Sequence, residues 1–158
     1  MNLDKVNQWL SLLGNLGVIV GIFFLAIELQ NNTRATEAQI KNSMTENVNS
    51  WYMAIGTSEF ATNAWYKGNN NIDELTPIEL AAYRQIIQTA LRNWENEFYQ
   101  YQVGLYSEEE FEPRRERMLR VIENCGVQNV WRDGSNYSEG FRNLMNSAIE
   151  NSAGIACN

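Results

Sequence analysis

Hydrophobic and polar positions divide the chain into two unlike parts. From Leu10 to Ile27 runs an 18-residue stretch without a charge, LSLLGNLGVIVGIFFLAI, bounded by Trp9 and Glu28. At helical rise it measures about 27 Å, close to the ~30 Å hydrocarbon core of a bilayer. Past Glu28 the pattern changes without breaking. Leu29, Thr33, Thr36, Ile40, Met44, Val48, Trp51 and Ile55 follow one another in steps of three or four, the spacing of one helix face. No Pro or Gly falls between Glu28 and Ile55. The pattern predicts a membrane span that continues as one helix to about residue 55 and ends before Gly56, coupling the membrane part rigidly to the soluble part.

A spanning anchor competes with two other readings of the apolar run. A cleaved signal peptide has a shorter apolar region, about 7–15 residues, and a small-residue cleavage site; none follows Phe24, Leu25 and Ala26. A core helix of a soluble protein has one polar face, and this run has none. The expected organisation is therefore a short tail (1–8), a transmembrane helix (9–29), a juxtamembrane helix (30–55), a soluble helical domain (57–150) and a frayed tail (151–158). Near the span, Arg34 and Lys41 outnumber Lys5, which leans toward a cytoplasmic C-terminal domain.

The soluble part shows helix signals throughout and no sustained period-two alternation. Ser58 to Lys67 carries Phe60, Ala61, Ala64 and Trp65, with Gly68 suited to the C′ position. Residues 69–75 read as a loop. Thr76, Pro77 and Glu79 form a helix start with cap, first-turn proline and capping-box acid. Behind it Leu80, Tyr83, Ile87, Leu91, Trp94, Phe98 and Tyr101 make an apolar seam, closed by Gly104. Ser107 and Glu110 repeat the capping pattern ahead of Phe111, Met118, Leu119 and Ile122, and Pro113 either kinks that helix or begins a second one. A short stretch around Val130 and Trp131 precedes a final helix from Ser138 with Phe141, Leu144, Met145 and Ile149. The fold class is all-α: an N-terminal transmembrane helix continuing into a long amphipathic helix, then a small helical bundle.

Composition then removes function classes. Twelve Lys+Arg against 19 Asp+Glu give a net charge of -7, unsuited to nucleic acid. The absence of histidine removes Ser-His-Asp and Cys-His chemistry and histidine metal sites. No phosphate-binding glycine loop, G-x-S-x-G or Cys-x-x-Cys is present. No catalytic, cofactor or metal residue is expected, and the chain does not read as an enzyme; a deep pocket holding Glu95 or Glu97 with a raised pKa would reverse that. The acids read as a solvated surface, with Glu110–Arg114 and Glu116–Arg120 at the favourable i, i+4 spacing. Cys125 and Cys157 would be free thiols in a cytoplasm and able to pair in a periplasm.

Three groups of residues remain as candidates for function. Gly14, Gly17 and Gly21 share one face of the span, and Gly17 with Gly21 forms a G-x-x-x-G that lets helix backbones approach closely. Asn15 and Glu28 are polar positions in or at the edge of the membrane, where they would line a pore. Arg34, Glu95 and Tyr99 are candidate ligand or register positions; Glu95, Tyr99 and Gln100 lie off the apolar face and would bind a ligand or pair with Arg34, Arg92 or Arg132.

Four phrases in order carry a resemblance: LGVIVGIFFLAIELQNNTRATEAQ (Leu16–Gln39), NWENEFYQYQVGLYSEEEF (Asn93–Phe111), GVQNVW (Gly126–Trp131) and YSEGFRNL (Tyr137–Leu144). Together they resemble a widespread group of uncharacterised bacterial proteins with one N-terminal membrane helix. The chain departs from the group at Asn129-Val130-Trp131, with one tryptophan where two are common, and at Pro113. The resemblance implies the same architecture and a bacterial inner membrane location, and it transfers no catalytic residue. The expected function is a membrane-anchored helical interaction or scaffold module that self-associates as a homo-oligomer in the lipid bilayer; the alternative is a small oligomeric ion-conducting pore.

Overall fold

The computed structural model describes residues 3–134 and 136–151. Among them all regular structure is helical, a long apolar N-terminal helix followed by shorter ones. The helices are α1 (Leu3–Gly56), α2 (Glu59–Asn70), α3 (Pro77–Gln102), α4 (Glu108–Ile122), α5 (Cys125–Asp133) and α6 (Glu139–Asn151), with a short 3₁₀ turn at Ile72–Glu74. The chain divides into two compact units, Met1–Ile40 and Lys41–Asn158.

In the first unit, α1 begins at Leu3, so residues 3–8 of the expected tail are helical, and Asp4 sits in the first turn where the helix dipole favours an acid. Every side chain from Leu10 to Ile27 is exposed. This is the one helix, among the described residues, long and apolar enough to cross a membrane. Thr33 and Thr36 turn their hydroxyls back to the carbonyls of Leu29 and Asn32, so these polar side chains leave no donor unsatisfied.

The second unit is organised around α3. Tyr83, Ile87 and Leu91 of this helix are buried against Phe111, Met118 and Ile122 of α4, Val127 and Val130 of α5, and Phe141 and Met145 of α6. Trp94, Phe98 and Tyr101 extend the seam as half-buried rings, with Tyr101 stacked on Phe111 at 4.4 Å and Phe98 6.0 Å from Phe141. The seam read from spacing therefore packs from Tyr83 onward, whereas its first member, Leu80, is half-buried outside the core. Both capping boxes form: the Thr76 and Ser107 hydroxyl oxygens accept from the backbone N–H of Glu79 and Glu110. Gly104, at φ 77°, supplies the left-handed residue after α3.

Several expectations change once the helices are placed. Gly68 does not end α2; it lies inside the helix, buried, and α2 runs on to Asn70. The expected loop 69–75 is taken up by that extra turn and the 3₁₀ turn, tied by Asn71, whose side chain accepts from the Asp73 N–H. Phe60 is 47 % exposed, because α2 buries its Ala64 face instead. Pro113 does not begin a second helix, because α4 is continuous through it. Pro113 and Glu109, whose carbonyl loses its partner there, are both exposed, so water can satisfy that carbonyl. Glu110 pairs with Lys41 and Arg114 with Glu97 rather than with each other, and Glu116 and Arg120 form no ion pair among the described residues. Of the expected frayed tail, Asn151 closes α6, and residues 152–158, with Cys157, lie outside the described residues.

The true role of Gly68 is close packing. A Cβ at this position would overlap the Tyr83 ring, and a Cβ at Gly126 would overlap the Gly68 carbonyl oxygen and the Tyr83 hydroxyl. Helices α2 and α5 thus meet backbone to backbone beside Tyr83. The hydroxyl of Tyr83 donates to Asn69 Oδ1 (3.2 Å), and Asn124 Nδ2 donates to the Asn69 carbonyl (2.8 Å). Asn124 Oδ1 also caps α5 by accepting from the N–H groups of Gly126 and Val127. Burial pushes the Tyr83 hydroxyl well above its ordinary pKa, keeping it a donor.

The acids are not all at the surface either. Glu79 is buried, and its carboxylate takes the Lys67 ammonium (2.6 Å), the Thr76 N–H (2.9 Å) and the Thr76 hydroxyl (2.8 Å). The Lys67 bond chiefly, then Thr76, holds its pKa at about 2, against the opposing effect of burial.

Two outcomes are expected for the full chain in detergent or nanodiscs. Gly126→Ala and Gly68→Ala should each destabilise the second unit by about 3 kcal/mol or more, the upper range for overpacking, since backbone or a packed ring must move. Gly56→Ala, with nothing within 4 Å of the added carbon, should leave thermal unfolding unchanged or slightly raised; equal melting temperatures for all three would refute the close-packing role. For Glu79, the folded carboxyl titrates below its unfolded value. Its stabilisation is present in full above about 4.5 and is lost as pH falls toward about 2. The melting temperature of Glu79→Gln should therefore vary less than wild type across that window, measured by circular dichroism.

A candidate aromatic binding site

The second unit contains a cavity of about 250 Å³ between the last turns of α1 and helices α2, α3 and α4. Much of its wall comes from residues that local sequence already placed on apolar faces: Trp51 on the α1 stripe, Trp65 on α2, and Ile87 and Trp94 on the α3 seam; Val121 of α4 joins them. The Trp51 indole N–H donates to the Ile86 carbonyl at 2.9 Å, which fixes the ring against α3. Trp65 meets Trp51 edge-on at 5.2 Å, and Tyr52 does so at 5.1 Å. Edge-to-face pairs of this kind contribute about 0.5–1.5 kcal/mol beyond area burial.

Three polar side chains interrupt the apolar lining: Asn93, Arg114 and Arg117. Arg114 is committed elsewhere. Its Nε and Nη2 donate to the two carboxylate oxygens of Glu97, at 3.1 Å and 2.5 Å, and Glu97 is only 2 % exposed. This bond raises the Arg114 pKa and fixes α4 against α3. Arg117 is exposed, has its guanidinium 5.4 Å from the Tyr52 ring centroid, and forms no ion pair among the described residues. The Asn93 amide is half-buried and has no hydrogen-bond partner there. The lining holds no carboxylate, serine, threonine or cysteine.

The candidates singled out by sequence lie elsewhere. Gly14, Gly17 and Gly21 face open space, with nothing within 4 Å of an added Cβ, and Asn15, Glu28 and Arg34 are exposed in the same unit. Glu95 is half-buried and binds the Ser138 N–H (2.6 Å) and Arg92 (2.7 Å). Burial pushes its pKa up, but Ser138 and Arg92 together outweigh that and lower it. Arg92 also reaches the Asn136 carbonyl (2.7 Å) and covers the Tyr137 ring at 4.3 Å, so Glu95 and Arg92 tie α3 to the segment before α6. Arg132 instead bonds Gln128. Tyr99 is 57 % exposed and Gln100 bonds only its neighbour Asn96. Cys125 is disulfide-bonded.

Sequence reasoning missed the convergence of Trp51, Trp65 and Trp94. Three of the five tryptophans line one cavity. Their density was a usable signal, but which helices meet was not written in their spacing. No family model matches the chain, and no curated protein or solved structure does so either.

Proposed function

We propose that the chain is a membrane-anchored helical interaction module of a bacterial inner membrane, self-associating through the face of Gly14, Gly17 and Gly21. The observation that carries this reading is the exposed, uncharged and mostly apolar run from Leu10 to Ile27. Its 12 Leu, Ile, Val and Phe residues favour lipid by about 4 to 7 kcal/mol in all, at about 0.3–0.6 kcal/mol each. The glycines support association. Each costs about 1 kcal/mol relative to alanine as a helix former, and nothing among the described residues uses the space they leave. A second helix backbone at that face would, with Asn15 beside it able to hydrogen-bond across. The pore alternative has less support, since Val18 to Ile27 offers no polar side chain to line a conduction path.

Two signals bear on the side of the membrane and oppose one another. Arg34 and Lys41 against Lys5 favour a cytoplasmic second unit by a margin of one charge, whereas the disulfide at Cys125 favours an oxidising compartment. The disulfide weighs more, because reducing cytoplasm removes such bonds outright and a one-charge margin is the smallest the charge bias can register. The second unit is read as facing the periplasm.

Gly17→Ile combined with Gly21→Ile should lower the mass of the protein in nanodiscs, measured by light scattering; an unchanged mass removes the glycine face as the interface. Alkaline phosphatase fused to the C-terminus should be active and a green fluorescent fusion dark in the same cells. The opposite pattern would return the second unit to the cytoplasm.

A further inference from the structure

We propose that the cavity between α1, α2, α3 and α4 binds a small aromatic carboxylate, one or two fused rings across, with its acid group at Arg117. This proposal is independent of how the span associates. Size argues first: an engineered cavity of about 150 Å³ accepts benzene, and at about 250 Å³ this one has room for a second fused ring. Lining chemistry argues next. Trp51, Tyr52, Trp65 and Trp94 present planar faces and edges, which favour a flat π-system over a flexible acyl chain.

Charge decides the polar end. The chain as a whole is acidic, yet the cavity lining contains two guanidinium groups and no carboxylate. Arg114 is neutralised by Glu97, which leaves Arg117 as the cation in the lining without an acidic partner among the described residues. Its contact with the Tyr52 ring holds it at the aromatic wall while its N–H groups stay available to a carboxylate. The unpartnered Asn93 amide adds a neutral donor to the same lining. An organic cation would face two guanidinium groups there and no carboxylate, and a neutral ring would leave both donors unused.

Calorimetric titration of the full chain in nanodiscs, with empty nanodiscs as blank, tests this with 2-naphthoate as the probe. One molecule should bind per chain. The cationic analogue 2-naphthylmethylammonium, and decanoate as an aliphatic acid, should each bind at least about tenfold more weakly. Arg117→Gln should weaken naphthoate about tenfold, the effect of one charge-assisted hydrogen bond, and Ala90→Leu, which fills the cavity, should abolish binding. Undetectable naphthoate binding, equal binding of the cation, or a folded Arg117→Gln with wild-type affinity would each overturn the proposal. Decanoate binding as tightly as naphthoate would also overturn it, in favour of an acyl-chain seat. The comparison of anion with cation uses the unaltered protein, so it stands even where a variant fails to fold.

Discussion

Tyr83 is fully buried beside a point where two helix backbones touch, and the second unit depends on that crossing. Helix α5 at Gly126 approaches the Gly68 carbonyl of α2 so closely that Gly126 tolerates no Cβ, and the Tyr83 ring excludes one at Gly68. Tyr83 fills the space next to them and anchors its hydroxyl on Asn69. Because the ring belongs to α3, the central helix is placed by the same contact. Asn124 then bonds Asn69 with its amide nitrogen and caps α5 with its oxygen, so one side chain both starts α5 and holds it to α2. Once α2, α3 and α5 are fixed, Phe111, Met118, Ile122, Phe141 and Met145 have a defined surface to bury against. Interiors packed at crystal-like density respond steeply to a single added carbon, which is why two glycines carry so much of the arrangement.

Charge is distributed unevenly for a chain of net charge -7. The most buried acids are neutralised locally: Glu79 by Lys67 and the capping N–H of Thr76, and Glu97 by the two-pronged Arg114. Each leaves an interior position charged but fully hydrogen-bonded, the condition under which burial of a carboxylate is tolerated. Glu95 is served in the same way by Ser138 and Arg92. With its acids taken up elsewhere, the aromatic cavity is left with guanidinium groups and no carboxylate in its lining. An overall acidic protein therefore contains one small region of opposite character, and net charge gives no hint of it.

The two units differ in where their apolar side chains lie. In Met1–Ile40 the apolar side chains of the run from Leu10 are exposed. In Lys41–Asn158 the apolar side chains turn inward and the polar ones cap, pair or face water. Helix α1 contributes to both. Up to Ile40 it offers no buried residue, and beyond it Met44 and Ile55 are buried and Trp51 bonds the Ile86 carbonyl.

Local chemistry alone determined much of this protein. The uncharged run from Leu10, the capping boxes at Thr76 and Ser107, the seam from Tyr83 to Tyr101 and the left-handed Gly104 are short-range features, and each depends on residues within a turn or two of itself. Tertiary structure decided what depends on residues far apart in the chain. Gly68 looked like a helix end because glycine commonly supplies one; it is a contact point because Gly126, 58 residues later, approaches it. Arg114 has a suitable acid four residues away in Glu110, yet takes Glu97, because the α3–α4 crossing offers a buried two-pronged partner while Lys41 draws Glu110 away. The cavity has the same origin. Its tryptophans were each legible as apolar positions, but a cavity is the space between helices, and the spacing of residues within one helix does not say which neighbour it will meet.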